Sequence, residues 1–144
     1  MISVKDTELL QYIHKTAEMG IEGLKDVEGQ IQEEPLREAV GRQVAEYQKI
    51  SHEAGELLRS KGEEPSEPGL MARMSSEVMS RAKTFPDASA SKIAEMVIQG
   101  NTMGITKGVK HLHDYAGDDR QVQALARRLI STEQDNVEQM KRFL

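Results

Sequence analysis

Apolar residues recur at three- and four-residue steps along four long stretches of this chain, with Pro or Gly at the breaks between them. That spacing places each set on one face of an α-helix, and a helix with a single apolar stripe must bury it against a partner. The first stretch carries Leu9, Ile13, Ala17, Gly20, Leu24, Val27 and Ile31, with Asp6 placed to cap it, and predicts a helix over about 6–32. Glu33-Glu34-Pro35 interrupts it, because proline disfavours helix for the residue before it yet suits the first helical position itself. A second helix over 35–61 shows Leu36, Val40, Val44, Tyr47, Ser51, Ala54 and Leu58 on one face and stops at Lys61-Gly62, a cation followed by a residue tolerant of left-handed backbone.

Residues 63–68 form a polar linker with two prolines and three glutamates. Leu70 or Met71, then Met74, Val78, Ala82 and Phe85, trace a short amphipathic helix over 69–84, closed by Pro86. A long helix over 88–116, starting at Ser89 or Asp87, presents Ala90, Ile93, Ala94, Val97, Asn101, Gly104, Ile105, Gly108, Leu112 and Tyr115 toward one side. After Gly117, Asp118 is placed to cap a last helix over 118–144 with Val122, Ala126, Leu129, Ile130, Glu133, Val137, Met140 and Leu144 inward. Four such stripes bury one another most simply as a four-helix bundle. The two short turns make each flanking pair antiparallel, and the connection of about 26 residues in the middle is a long crossover. The whole of 1–144 reads as one domain, a size at which a single core forms.

Composition narrows the function. The 24 Asp and Glu against 19 Lys and Arg leave a net charge of −5 and no dense basic face, so no nucleic acid is expected as partner. No apolar run is long enough to span a membrane and the N-terminus lacks a signal-peptide core, so no membrane association and a cytoplasmic location are expected. With no cysteine there is no disulfide, no thiol nucleophile and no Cys-type metal site.

Residues 17–23 read AEMGIEG and residues 94–100 read AEMVIQG, identical at five of seven positions in the first and third long helices, as in a chain built from two related hairpins. Two antiparallel helical hairpins joined by a long crossover resemble the ferritin-like superfamily. The segments AEMGIEG, EYQKISHEAGELL and AEMVIQGNTMGI look like those of uncharacterised bacterial ferritin-like bundle proteins. The resemblance covers nearly the whole chain and implies an all-α, ferritin-like four-helix bundle. It also implies a test, since a ferritin-like di-iron site takes a Glu from each of two helices and a Glu-x-x-His from each of the other two, all inward.

At about 100° per residue, Glu18 and Glu95 fall away from their apolar stripes, and Glu46 lies off its stripe's centre with Lys49 where a His is needed. Glu133 falls within about 20° of the centre of its stripe, and Asn136 follows on the same face in place of the His. The inward polar positions are then Tyr47, Asn101, Glu133 and Asn136, a set with one carboxylate that cannot offset the charge of two dications. This predicts a degenerate metal site, replaced by a buried hydrogen-bonded cluster that sets helix register; the alternative is a relic or mononuclear metal site, or a small-ligand pocket with the Glu133 pKa raised. His111 and His113 diverge by about 200° on a helix and cannot share one ion.

Gly100, Gly104 and Gly108 repeat every fourth residue along one flank, each costing about 1 kcal/mol relative to Ala, and predict close packing against a neighbouring helix, near Gly20 of the first, with a ligand-admitting groove as the alternative. Tyr12 with Met19, and Met96 with Met103, mark second stripes that need a cover, either the crossover helix or a homodimer contact. The expected function is non-catalytic and cofactor-free: a structural or protein-interaction role as a homodimer in the bacterial cytoplasm or, by analogy with other bundle proteins, a spore-associated layer. The alternative is a protein binding iron or another divalent metal, or a carboxylate-dependent oxidoreductase, with Glu18, Glu46, Glu95 and Glu133 turned inward as ligands.

Overall fold

The computed structural model describes residues 4–66 and 88–144. It is all-helical: α1 (Asp6–Glu28), α2 (Glu34–Ser60), α3 (Ala90–Asp114) and α4 (Arg120–Lys141) pack as a four-helix bundle. The expected short helix over 69–84 lies outside the described residues. No helix among those described is long and apolar enough to cross a membrane.

The core follows the stripes, with Leu9, Ile13, Ala17, Leu36, Val40, Ala54, Leu58, Val122, Leu129 and Met140 buried. Leu10 and Leu125 are buried as well, since a globular helix buries a wider arc than one three-four row.

Contacts at the two ends define how the helices run. Val4 N–H donates to the Asp114 carbonyl at 2.9 Å and Ala116 N–H to the Val4 carbonyl at 2.9 Å. Lys61 Nζ lies 3.4 Å from Asp6 Oδ2 and 2.8 Å from Asp119 Oδ2. The start of α1, the end of α2, the end of α3 and the start of α4 therefore share one end of the bundle. At the other end Ile31, Leu36, Ala90 and Ile93 line one groove. Ser66 N–H donates to Gln11 Oε1 at 2.8 Å near the first end, whereas Ala88 lies at the second. The segment joining α2 to α3 thus connects opposite ends, so these two helices run in the same direction while each hairpin, α1–α2 and α3–α4, is antiparallel.

The helix ends differ from expectation in four places, each for a local reason. α1 stops at Glu28: Gln30 N–H donates to the Val27 carbonyl at 2.9 Å, tightening a turn that carries Ile31 back to the core. Lys5, not Asp6, occupies the N-cap of α1, and the Asp6 carboxylate instead takes Lys61 and the Tyr115 hydroxyl. Asp119, not Asp118, caps α4, its Oδ1 accepting from Gln121 N–H at 2.9 Å and Val122 N–H at 3.3 Å. Leu144 lies beyond the end of α4 and is exposed, and Val137 is only half-buried.

Ser89 caps α3, accepting from Lys92 N–H at 3.3 Å. At the end of α2, Glu63 N–H donates to the Leu58 carbonyl and Gly62 N–H to the Arg59 carbonyl, both at 3.0 Å, with Gly62 at φ 81°. This is the paired closure that uses a left-handed residue just past a helix. Gly62→Ala places a Cβ in that left-handed position, and urea unfolding is expected to show a loss of about 1–2 kcal/mol.

Candidate functional site: a buried polar cluster between the hairpins

α2, α3 and α4 each bring polar side chains to one buried point. Tyr47 Oη lies 2.9 Å from Asn101 Oδ1 and 3.2 Å from Glu133 Oε2. Asn136 Nδ2 donates to the same Asn101 oxygen at 3.1 Å, and Asn101 Nδ2 donates to the Val97 carbonyl at 2.8 Å. All four residues are buried, Glu133 to the point that 2% of it is exposed. Tyr47 belongs to the first hairpin and its partners to the second, so the cluster sits in the seam between the two.

Two glycines make the space. A Cβ on Gly104 of α3 would lie 2.7 Å from both Cδ and Oε1 of Glu133. A Cβ on Gly20 of α1 would lie 2.7 Å from Cε2 and 2.8 Å from Cζ of Tyr47. Both distances are below ordinary contact, so these positions must lack a side chain if Glu133 and Tyr47 are to lie flat against the opposing backbones. Gly108 is buried against Ile130, whose Cγ1 would be 3.1 Å from a Cβ.

Gly100 departs from the expectation of close packing: it is exposed, with nothing within 4 Å of a Cβ. A four-residue step advances about 40° around a helix, so the row of glycines curls out of the seam at its N-terminal end.

Burial raises the Glu133 carboxyl to about 7, and the hydrogen bond from Tyr47 lowers it by less. The Tyr47 hydroxyl is driven well above its usual range by burial first and by Glu133 second. The hydrogen-bond inventory agrees, because the single Tyr47 proton cannot serve both acceptors. A protonated Glu133 resolves this by donating to Tyr47 Oη, which then donates to Asn101 Oδ1. Glu133 Oε1 remains buried without a partner, less costly on a neutral acid than on a carboxylate.

The other carboxylates named as possible metal ligands are not gathered here. Glu18 lies at the flank, accepting from Ser51 Oγ at 3.2 Å with His14 Nε2 at 3.7 Å. Glu46 accepts from Arg128 Nε at 3.1 Å and Nη2 at 2.9 Å, and the same guanidinium reaches Glu53 at 2.6 Å. Glu95 pairs with Lys92 at 3.3 Å. Among the described residues no group of three or more His, Asp or Glu side chains is placed to hold a metal ion.

Two polar contacts and one buried hydroxyl escape the sequence pattern. Buried Gln43, one turn before Tyr47 on α2, donates to Gln139 at 3.0 Å, and its position on the apolar stripe is the one signal that could have found it. Ser51 reaches Glu18, and Thr132 is buried beside Glu133 in sequence. The second stripes also resolve differently. The Tyr12 ring stacks on His111 at 3.8 Å and 14°, Met19 and Met96 are half-buried, and Met103 alone of the four is exposed, at 60%.

No protein-family model, curated protein or solved structure matches the chain.

The two glycines of the row behave oppositely under one substitution. Gly104→Ala drives a methyl into the Glu133 carboxyl and is expected to cost about 1–3 kcal/mol. Gly100→Ala fills open space in a helix interior and is expected to gain about 0.5–1 kcal/mol. Paired urea titrations check the signs, and two losses would place Gly100 in an unseen contact.

Proposed function

We propose that this chain is a non-catalytic helical bundle of ferritin-like kind, with a structural or protein-interaction role and no complete di-metal centre. The observation that carries the reading is the chemistry at the bundle's centre. One carboxyl, raised to about 7 by burial, is hydrogen-bonded to a tyrosine among two asparagines. A di-metal centre needs several carboxylates to balance two dications, and a single carboxyl with a phenol and two amides as neighbours supplies neither the charge nor the ligand count. Connectivity supports the ferritin-like part, since one long crossover between two antiparallel hairpins belongs to that topology. A cytoplasmic setting, bacterial by the resemblance, is part of the same reading.

A homodimer through the outer face of α3 fits the interaction role. Met96, Gly100, Met103 and Lys107 follow one another on that face, and Met103 is its exposed apolar knob.

Two measurements test this. Protein purified without chelator is expected to carry well below one iron per chain, and aerobic addition of Fe(II) is expected to give no more oxidation than buffer. Near-stoichiometric iron with rapid oxidation would overturn the non-catalytic reading. Met103→Glu is expected to convert a dimer to a monomer by light scattering, and a wild-type monomer would remove the dimer.

A further inference from the structure

At the centre of the seam between the hairpins the side-chain links run through one hydroxyl, while Gln43 and Gln139 join α2 to α4 farther along. Tyr47 of α2 touches Glu133 of α4 and Asn101 of α3, so both contacts cross between hairpins. The Glu133 side chain is wedged on the Gly104 backbone, and its Oε1 is buried with no hydrogen-bond partner. A group so enclosed has one small ligand it can gain or lose without displacing a helix, and that ligand is a proton.

We propose that Glu133 is a proton-binding latch: with its proton in place the hairpins dock tightly, and loss of that proton loosens the seam. The mechanism is one of bond count. A neutral Glu133 donates to Tyr47, and Tyr47 donates to Asn101, so every proton in the row has an acceptor. Ionised Glu133 cannot donate, and the Tyr47 proton then serves either the carboxylate or Asn101. One cross-seam hydrogen bond is lost in either case, and a buried charge keeps a bare Oε1 that only entering water can satisfy. The price of that hydration is separation of α4 from the Gly104 backbone.

Among the described residues, no cation faces Glu133 closely enough to compensate its charge. α1 presents Tyr12, whose hydroxyl is itself pushed upward by burial and by Glu133. α2 presents Tyr47, and α3 presents Asn101 and Gly104, with His111 stacked on the Tyr12 ring. Arg128, earlier on α4, is engaged outside by Glu46 and Glu53.

The direction follows from proton linkage. The closed seam holds the proton up to about 7, against 4.5 for an ordinary glutamate, so opening releases a proton in that window. The latch is fully closed below it and weakens as pH rises through it. His14, lowered by burial, contributes the opposite slope, and it is common to wild type and variant.

The test compares wild type with Glu133→Gln by urea unfolding from about pH 5 to about pH 9, alongside the carboxyl 13C shift of Glu133. The ratio of wild-type to variant unfolding constants is expected to rise about tenfold per pH unit and to level off near pH 7. The carboxyl shift is expected to titrate at that same midpoint. Hydrogen exchange around Val97 to Gly104, corrected for intrinsic rates, is expected to lose protection as pH rises toward the midpoint, in wild type alone, and to level off above it. Parallel urea profiles, a carboxyl titrating in the ordinary glutamate range, or protection independent of pH would each overturn the proposal. If Glu133→Gln does not fold, the wild-type 13C titration and the wild-type hydrogen-exchange profile decide it.

Discussion

The Tyr47 hydroxyl has one proton and two oxygens within reach, and the arrangement of the bundle's middle depends on how that shortage is met. Asn101 Oδ1 at 2.9 Å already accepts from Asn136, while Glu133 Oε2 at 3.2 Å accepts from no other group described. Were Glu133 ionised, a buried carboxylate would rest on one shared donor, where buried charges are ordinarily met by a counter-ion or several hydrogen bonds. The neutral acid reverses the direction of that bond and lets each proton find an acceptor. The geometry of four residues on three helices thus turns on one carboxyl proton.

Space for these side chains comes from the other helix of each hairpin. Gly20 on α1 receives the Tyr47 ring of α2, and Gly104 on α3 receives the Glu133 carboxyl of α4. The internal echo does not explain this pairing. It aligns Ala17 with Ala94, both buried, and Glu18 with Glu95, both at the flank, but it sets Gly20 against Val97, seven residues before Gly104. The glycines answer the side chain that lies opposite, a requirement of close packing.

Much of this was legible in the sequence, because helical periodicity is a local signal. The stripes that include Ile13, Val40, Val97 and Leu129 carry their burial in their spacing, and Glu133 declared itself by standing among them. Gly100 misled because a run of four-residue steps looks like one face while turning away from it. Gln43 was hidden for a different reason. Its partner, Gln139, lies on another helix 96 residues away, and no local pattern announces that a buried amide will be met. Cap positions shifted by one residue, as at Asp119, because adjacent aspartates offer the same chemistry and the turn geometry chooses between them.

The contrast between Glu133 and the flank carboxylates explains why Glu133 alone of the described acidic residues is buried. Arg128 joins α4 to α2 from outside through Glu46 and Glu53, crossing the same seam as Tyr47 and Glu133. Exposed pairs of this type contribute about 0–1 kcal/mol and tolerate displacement, since long side chains can follow one another. The interior tolerates none. Sliding α4 by one turn would move Glu133 off Gly104 and leave its carboxyl, the Asn101 oxygen or the Tyr47 hydroxyl unmet, at about 1–3 kcal/mol for each buried group. The outer charges hold the hairpins together in many registers, and the inner cluster selects one.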